Sequence, residues 1–182
     1  MVKDNFVLDV KYSDVSTTYP VTLEEAKNWC KIELDITEED DLITELIKSA
    51  TALCEGYINT SLMPKTVTAE LNNSLGGISL PYAPVTSFTS LKDEDDTTLV
   101  ETTDYILQGL DFKTIKTPCY EYLKAEYVAG YAAADLPPNF KTAILQQIVY
   151  LYENRGDIDS GKAMPELSPI LKLTLKPYRR VW

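Results

Sequence analysis

The sequence predicts an α+β protein, with a helical bundle core of about four helices and an inserted small antiparallel β-sheet domain. Three observations predict it. Apolar residues recur at helical spacing in residues 21–63 and again in residues 136–175. Between them, over residues 64–131, the pattern changes to the alternation of strands. The 45% apolar content of 182 residues is enough for a buried core, so disorder is not expected.

Residues 1–20 suggest an extended N-terminal segment, with Val7 and Val10 among polar residues and Pro20 as a break. Thr22 followed by Glu25 forms a capping-box pattern, in which hydroxyl and carboxylate each take a backbone N–H. Leu23, Ala26 and Trp29/Cys30 follow at spacings of three and four and predict a short first helix. The second helix signal is stronger. Thr37 is its expected N-cap, and Glu38, Glu39, Asp40 and Asp41 suit the positive end of the helix dipole. Leu42, Leu46, Ala50, Leu53 and Tyr57 make a stripe flanked by Ile43, Ile47, Cys54 and Ile58, wide enough for burial against more than one neighbour.

The β-rich stretch offers Thr66–Leu71, Ile78–Leu80 and Val85–Leu91 as strands. Lys92 to Asp96 is expected to turn the chain into a strand over Thr97–Glu101, with Tyr105–Leu107, Phe112–Ile115 and Leu123–Val128 following. Gly76, Gly77 and Gly130 are expected at turns, and the late tyrosines in sheet packing. Leu136-Pro137-Pro138 opens another helix, because proline disfavours helix in the residue before it and is tolerated in a first turn. Ala143, Ile144, Ile148, Leu151 and Tyr152 lie on its stripe, and Arg155-Gly156 is its expected end. Residues 156–166 are a polar loop. Ser168-Pro169 then starts a last short helix carrying Ile170, Leu171, Leu173 and Leu175 before Pro177.

Charge narrows the functional classes. With 17 basic against 28 acidic residues the formal charge is −11, which opposes broad binding to a phosphate backbone. The charge is uneven: residues 155–182 carry six basic and three acidic side chains, the first 154 eleven and twenty-five, so a body of −14 precedes a tail of +3. Such asymmetry suits head-to-tail contact between subunits, although a surface gradient without function has the same signature. The chain contains no histidine, which removes the commonest general base and metal ligand. Cys30, Cys54 and Cys119 are far apart and suggest neither a zinc site nor a disulfide framework. No cofactor or metal is expected, and a soluble protein without membrane anchor or signal peptide is. An enzyme here would depend on carboxylates alone, as in a glycosidase-type hydrolase, and no pair of them stands out; a small protein-binding module of unknown partner is the other alternative.

Several segments in this order resemble a known family: VTLEEAK (21–27), EEDDLITELIKSATALCEGYINTSL (38–62), LPYAPVTSFTSLKDEDDTTL (80–99), YVAGYAAADLPPNFKTAILQQIVYLYENRGD (127–157) and LKPYRRVW (175–182). They are similar to the portal-binding head-tail connector (adaptor) proteins of tailed bacteriophages, which combine a helical core with an inserted β-region. The resemblance covers about residues 20–182 and implies a non-enzymatic structural subunit of the virion neck, assembled in the host bacterial cytoplasm. It implies a homo-oligomeric ring, commonly of twelve copies, beneath the portal. Such a ring meets a stopper or tail-completion protein and lets DNA pass through its lumen without sequence-specific binding.

Two candidate sites follow. Residues 176–182 form a candidate docking arm, in which Tyr178, Arg179, Arg180 and Trp182 are of the types enriched at interface hot spots; the portal or a neighbouring subunit is the expected partner. The alternative is that these aromatics fold back on their own core. The second site is the acidic loop Asp93, Glu94, Asp95 and Asp96, a candidate for loop contacts with another protein. It does not match a calcium loop, whose sixth and twelfth positions would fall on Thr98 and Asp104 instead of glycine and glutamate.

Overall fold

A computed structural model describes residues 6–14, 19–73, 76–118, 120–132, 135–155 and 167–179. The chain divides into two compact units, residues 1–17 with 63–132 and residues 18–62 with 133–182. Among the described residues there are four α-helices and two antiparallel sheets, an α+β composition as the sequence predicts; the strands form two sheets where one was expected.

The helical unit holds α1 (Leu23–Cys30), α2 (Asp40–Ile58), α3 (Pro138–Glu153), α4 (Pro169–Leu175) and a 3₁₀ turn at Lys176–Tyr178. Helix α3 packs on each of the other three, because Phe140, Ala143, Ile144, Leu145, Gln147 and Ile148 bury more than one of its faces. The Thr22 capping box forms in full: Glu25 N–H donates to Thr22 Oγ1 at 3.2 Å and Thr22 N–H to Glu25 Oε2 at 3.0 Å. Ser168 caps α4, accepting from Leu171 N–H at 3.1 Å, while Gln147 Oε1 accepts from Ser168 N–H at 2.9 Å and ties this start to α3.

Two expectations for the helices are corrected. Thr37 does not cap α2, which begins at Asp40 behind Glu39 without a side-chain cap. The reason is Lys27. Its side chain, 3% exposed, donates to Leu34 O (3.1 Å), Ile36 O (2.6 Å) and Asp40 Oδ1 (2.8 Å), which holds the preceding residues in a loop. The buried stripe of α2 is also rotated by about one residue from the expected one: Ile43, Ile47, Ala50, Cys54 and Ile58 are buried, whereas Leu42 is exposed and Leu46, Leu53 and Tyr57 are half-buried. Helix α3 ends at an Asn154 cap, and Gly156 lies outside the described residues.

The β unit contains β1 (Phe6–Asp14), β2 (Lys65–Asn73), β3 (Gly77–Ser79), β4 (Val85–Lys92), β5 (Ile106–Gln108), β6 (Thr114–Lys116) and β7 (Tyr120–Ala129). The four-stranded sheet has order β1-β2-β7-β4 and the three-stranded sheet β3-β6-β5. The expected N-terminal lead-in thus supplies an edge strand, pairing from Phe6↔Asn72 to Asp14↔Lys65. Alternation sets the inward face: Val67, Ala69 and Leu71 on β2 and Leu123, Ala125, Tyr127 and Ala129 on β7 are buried with Ile78 and Ile115 of the smaller sheet. The opposite face is polar, and Glu70↔Lys124 and Ser90↔Glu126 are cross-strand neighbours on it. Tyr127 is fully buried and its hydroxyl donates to Pro81 O at 2.5 Å. Gly130, at φ +121°, stands where an added Cβ would lie 2.1 Å from the Met63 carbonyl oxygen, so the requirement there is close backbone approach as well as a turn.

The expected strand at Thr97–Glu101 is absent; only isolated bridges Lys92↔Thr98 and Glu101↔Tyr105 occur there. Local hydrogen bonds compete with a ladder. Asp104 Oδ2 accepts from Val100 N–H at 2.8 Å and Thr102 N–H reaches Tyr105 O at 2.8 Å, which coils the segment into turns.

Candidate interaction surfaces

The first four residues after α4 run back over their own unit. Tyr178 sets its ring edge-on to Phe140, with centroids 4.8 Å apart at 71°, and its hydroxyl accepts from Asn139 Nδ2 at 3.0 Å. Arg179 puts its guanidinium over the Tyr57 ring, 5.3 Å from the centroid, while Tyr57 OH donates to Lys172 O at 3.4 Å. Tyr178 and Arg179 are thereby brought onto the start of α3 and the end of α2, with both side chains still reaching solvent. Arg180 and Trp182 lie outside the described residues.

Beside Arg179 runs a groove of about 780 Å³ bounded by Ser49, Ala52, Leu53, Gly56, Tyr57 and Leu167. Gly56 sits within α2 and faces open space, where a Cβ would meet nothing within 4 Å. A second groove of about 300 Å³ is lined by Trp29, Val149, Tyr150, Pro169 and Ile170. Helix α4 buries Leu171 and Leu175 and leaves Ile170, which lines this groove, and Leu173 exposed.

The acidic loop is a closed turn. Asp93 Oδ1 accepts from Asp95 N–H (3.0 Å) and Thr97 N–H (2.9 Å), Asp96 takes φ +60°, and Lys92 Nζ lies 3.5 Å from Asp96. Glu94, Asp95 and Asp96 point to solvent. Among the described residues no group of three or more Cys, Asp or Glu is arranged to hold a metal ion.

Part of the charge asymmetry is resolved inside the helical unit. Lys141 of α3 pairs with Glu25 of α1 at 2.5 Å, and Arg155 approaches Glu39 at 3.5 Å, while Tyr152 OH donates to Glu39 Oε2 at 2.6 Å. Partial burial pushes the Glu25 carboxyl up, but the bonds from Lys141 and Thr22 outweigh it, leaving the group below its ordinary value. The buried carboxylate Glu55 accepts from Leu62 N–H at 2.8 Å and so closes the end of α2. No described helix is long and apolar enough to cross a membrane.

Lys27, Leu34 and Ile36 were not legible as a site from sequence. The lysine is an ordinary polar position in a short helical pattern, and the two apolar residues stand singly in an acidic stretch. The signal that marks them is tertiary: a buried cation bonded to the loop that presents them.

A model of head completion proteins matches residues 21–164. The chain belongs to the head completion protein family. This bears out the head-tail connector resemblance of the sequence. Among solved structures, a chain in the neck of an empty gene transfer agent (GTA) particle, computed with C6 symmetry, matches with a TM-score of 0.71 at 20% identity, over 94% of this chain and 96% of that one. A chain in the virion of a native GTA particle matches with a TM-score of 0.70 at 20% identity, over the same shares. At this identity the two share the fold with this chain. None of the curated proteins matches the chain. Family and structural neighbours together support a head-tail connector role.

Proposed function

We propose that this chain is a non-enzymatic connector subunit of a tailed-phage or phage-like virion, forming a ring of twelve beneath the portal. The ring joins the DNA-filled head to the stopper or tail-completion protein. The observation that carries this reading is the family match over residues 21–164. The neck that shares this fold was computed with C6 symmetry, and twelve is compatible with a six-fold axis. Ring closure requires two different patches on each subunit, meeting in the same way at every junction.

Within that ring, Tyr178, Arg179, Arg180 and Trp182 form the arm that docks on the portal or a neighbour. The turn at Asp93, Glu94, Asp95 and Asp96 is an exposed contact to the adjoining ring. DNA passes through the lumen without specific contacts, since the −11 charge disfavours adhesion to phosphate. Mixing the full chain with portal rings of the same particle tests the reading: native mass measurement should show about 240 kDa added, twelve times 20.5 kDa. Absence of any portal-bound assembly would overturn it, as would Arg179→Ala/Arg180→Ala/Trp182→Ala binding as tightly as the unaltered chain for the arm.

A further inference from the structure

Two exposed faces of the helical unit are both apolar and carry opposite charge. One is the lip formed by the α1–α2 loop and the start of α2, where Leu34, Ile36 and Leu42 are 50%, 41% and 39% exposed. Residues 32–47 contain seven acidic side chains and no basic one. Three of the seven are engaged, Glu39 with Arg155, Asp40 with Lys27 and Glu45 with Lys48. Glu33, Asp35, Glu38 and Asp41 are exposed with no cationic partner among the described residues.

The other is the outer face of α4, where Ile170 and Leu173 are 59% and 80% exposed. Lys172 and Lys176 flank them, also exposed and without an acidic partner among the described residues, and residues 167–179 contain three basic side chains and no acidic one. Single exposed apolar residues are ordinary on a protein surface. Here Ile170 also lines the 300 Å³ groove with Trp29, Val149 and Tyr150, beside the polar Gln146 and Glu153, so apolar surface continues from the helix into the groove. The lip is not slack chain, because the buried Lys27 ammonium grips the carbonyls of Leu34 and Ile36 and so fixes the loop that displays them.

We propose that the α4 face of one subunit, with its adjoining groove, receives the acidic lip of a second copy of this chain. Leu34 and Ile36 meet Ile170, Leu173 and the groove, while Lys172 and Lys176 face the unpaired carboxylates. Charge complementarity between α4 and the lip selects the occupant: Lys172 and Lys176 supply the sign that the lip lacks, while the groove, where Glu153 is the one acidic side chain among the described residues, offers its apolar wall to Leu34 and Ile36. Because the two faces differ, every subunit still has one of each to offer after its first contact, which is how a ring propagates. This contact rests on the ring reading and supplies its subunit junction.

Charge reversal tests it in the full chain with portal rings present, counting subunits bound per portal. The lip variant is Glu33→Lys/Asp35→Lys/Glu38→Lys, and the α4 variant is Lys172→Glu/Lys176→Glu. Each alone should show at least a tenfold weaker assembly, and an equimolar mixture should regain it, since an even ring alternating the two variants restores opposite charges at every junction. Far-UV circular dichroism checks that both fold. Ile170→Ser/Leu173→Ser, whose side chains already face solvent, gives a second measure and should also lose assembly. Variants that assemble like the unaltered chain, or a mixture no better than its parts, overturn this contact and leave the ring reading standing. If the unaltered chain binds no more than one copy per portal, the ring reading fails and this contact with it.

Discussion

Lys27→Met is the most informative single change to the helical unit. It keeps the aliphatic stem and removes the ammonium, which is 97% withdrawn from solvent and bonded to Leu34 O, Ile36 O and Asp40 Oδ1. Removing one partner from a buried charged pair costs about 3–5 kcal/mol, because the other charge is left uncompensated. Asp40 retains 30% of its side-chain exposure and can be partly rehydrated, which puts the expected loss near about 3 kcal/mol. For a protein of this size that corresponds to a melting temperature lower by about 6–12 °C. Thermal and urea unfolding followed by circular dichroism measure it, and hydrogen exchange of the loop amides reports whether the lip loosens. The double variant Lys27→Met/Asp40→Leu, which removes both charges together, should be more stable than Lys27→Met alone. A loss below about 1 kcal/mol, or a double variant no better than the single one, would refute the reasoning.

Two further outcomes are expected. Gly130→Ala should destabilise the β unit by about 3 kcal/mol or more, since its Cβ meets the Met63 carbonyl and Pro64 N at a backbone angle that costs other residues energy; a near-neutral change in urea midpoint would contradict this. Burial, with Glu55 adding its charge, pushes the Cys54 thiol up to about 12. A group raised in the folded state contributes stability that is present below its ordinary value and is lost as pH rises toward the folded one. Stability should therefore fall from about pH 9 upward, and alkylation of Cys54 at neutral pH should require unfolding; rapid labelling of the folded chain would count against it.

Whether an amino acid's role was visible in the sequence depended on how far its partner lies along the chain. The capping box at Thr22 and Glu25 and the Ser168-Pro169 start were legible because both ends of each bond fall within three residues. Most strands of the inserted region were legible for a similar reason, since alternation is a property of adjacent residues. The acidic character of the body and the lack of histidine are compositional and need no fold. The order of the helical and strand-like segments carried the family resemblance.

Tertiary structure decided the rest. Ile43, Ile47, Cys54 and Ile58 are buried ahead of Leu42 and Leu46 because α3 and α1 set which face of α2 they cover. Periodicity alone allows either stripe. Strand β1 exists only because β2, more than fifty residues later, supplies its partner. The same holds for the pairing of Lys27 with carbonyls seven and nine residues away, which stops α2 from starting at Thr37 and turns an unremarkable loop into a fixed lip. The sequence by itself determined the α+β class, the local helix starts, the charge and the family; which apolar residues face water, and hence where a neighbour can bind, depended on contacts between segments far apart in the chain.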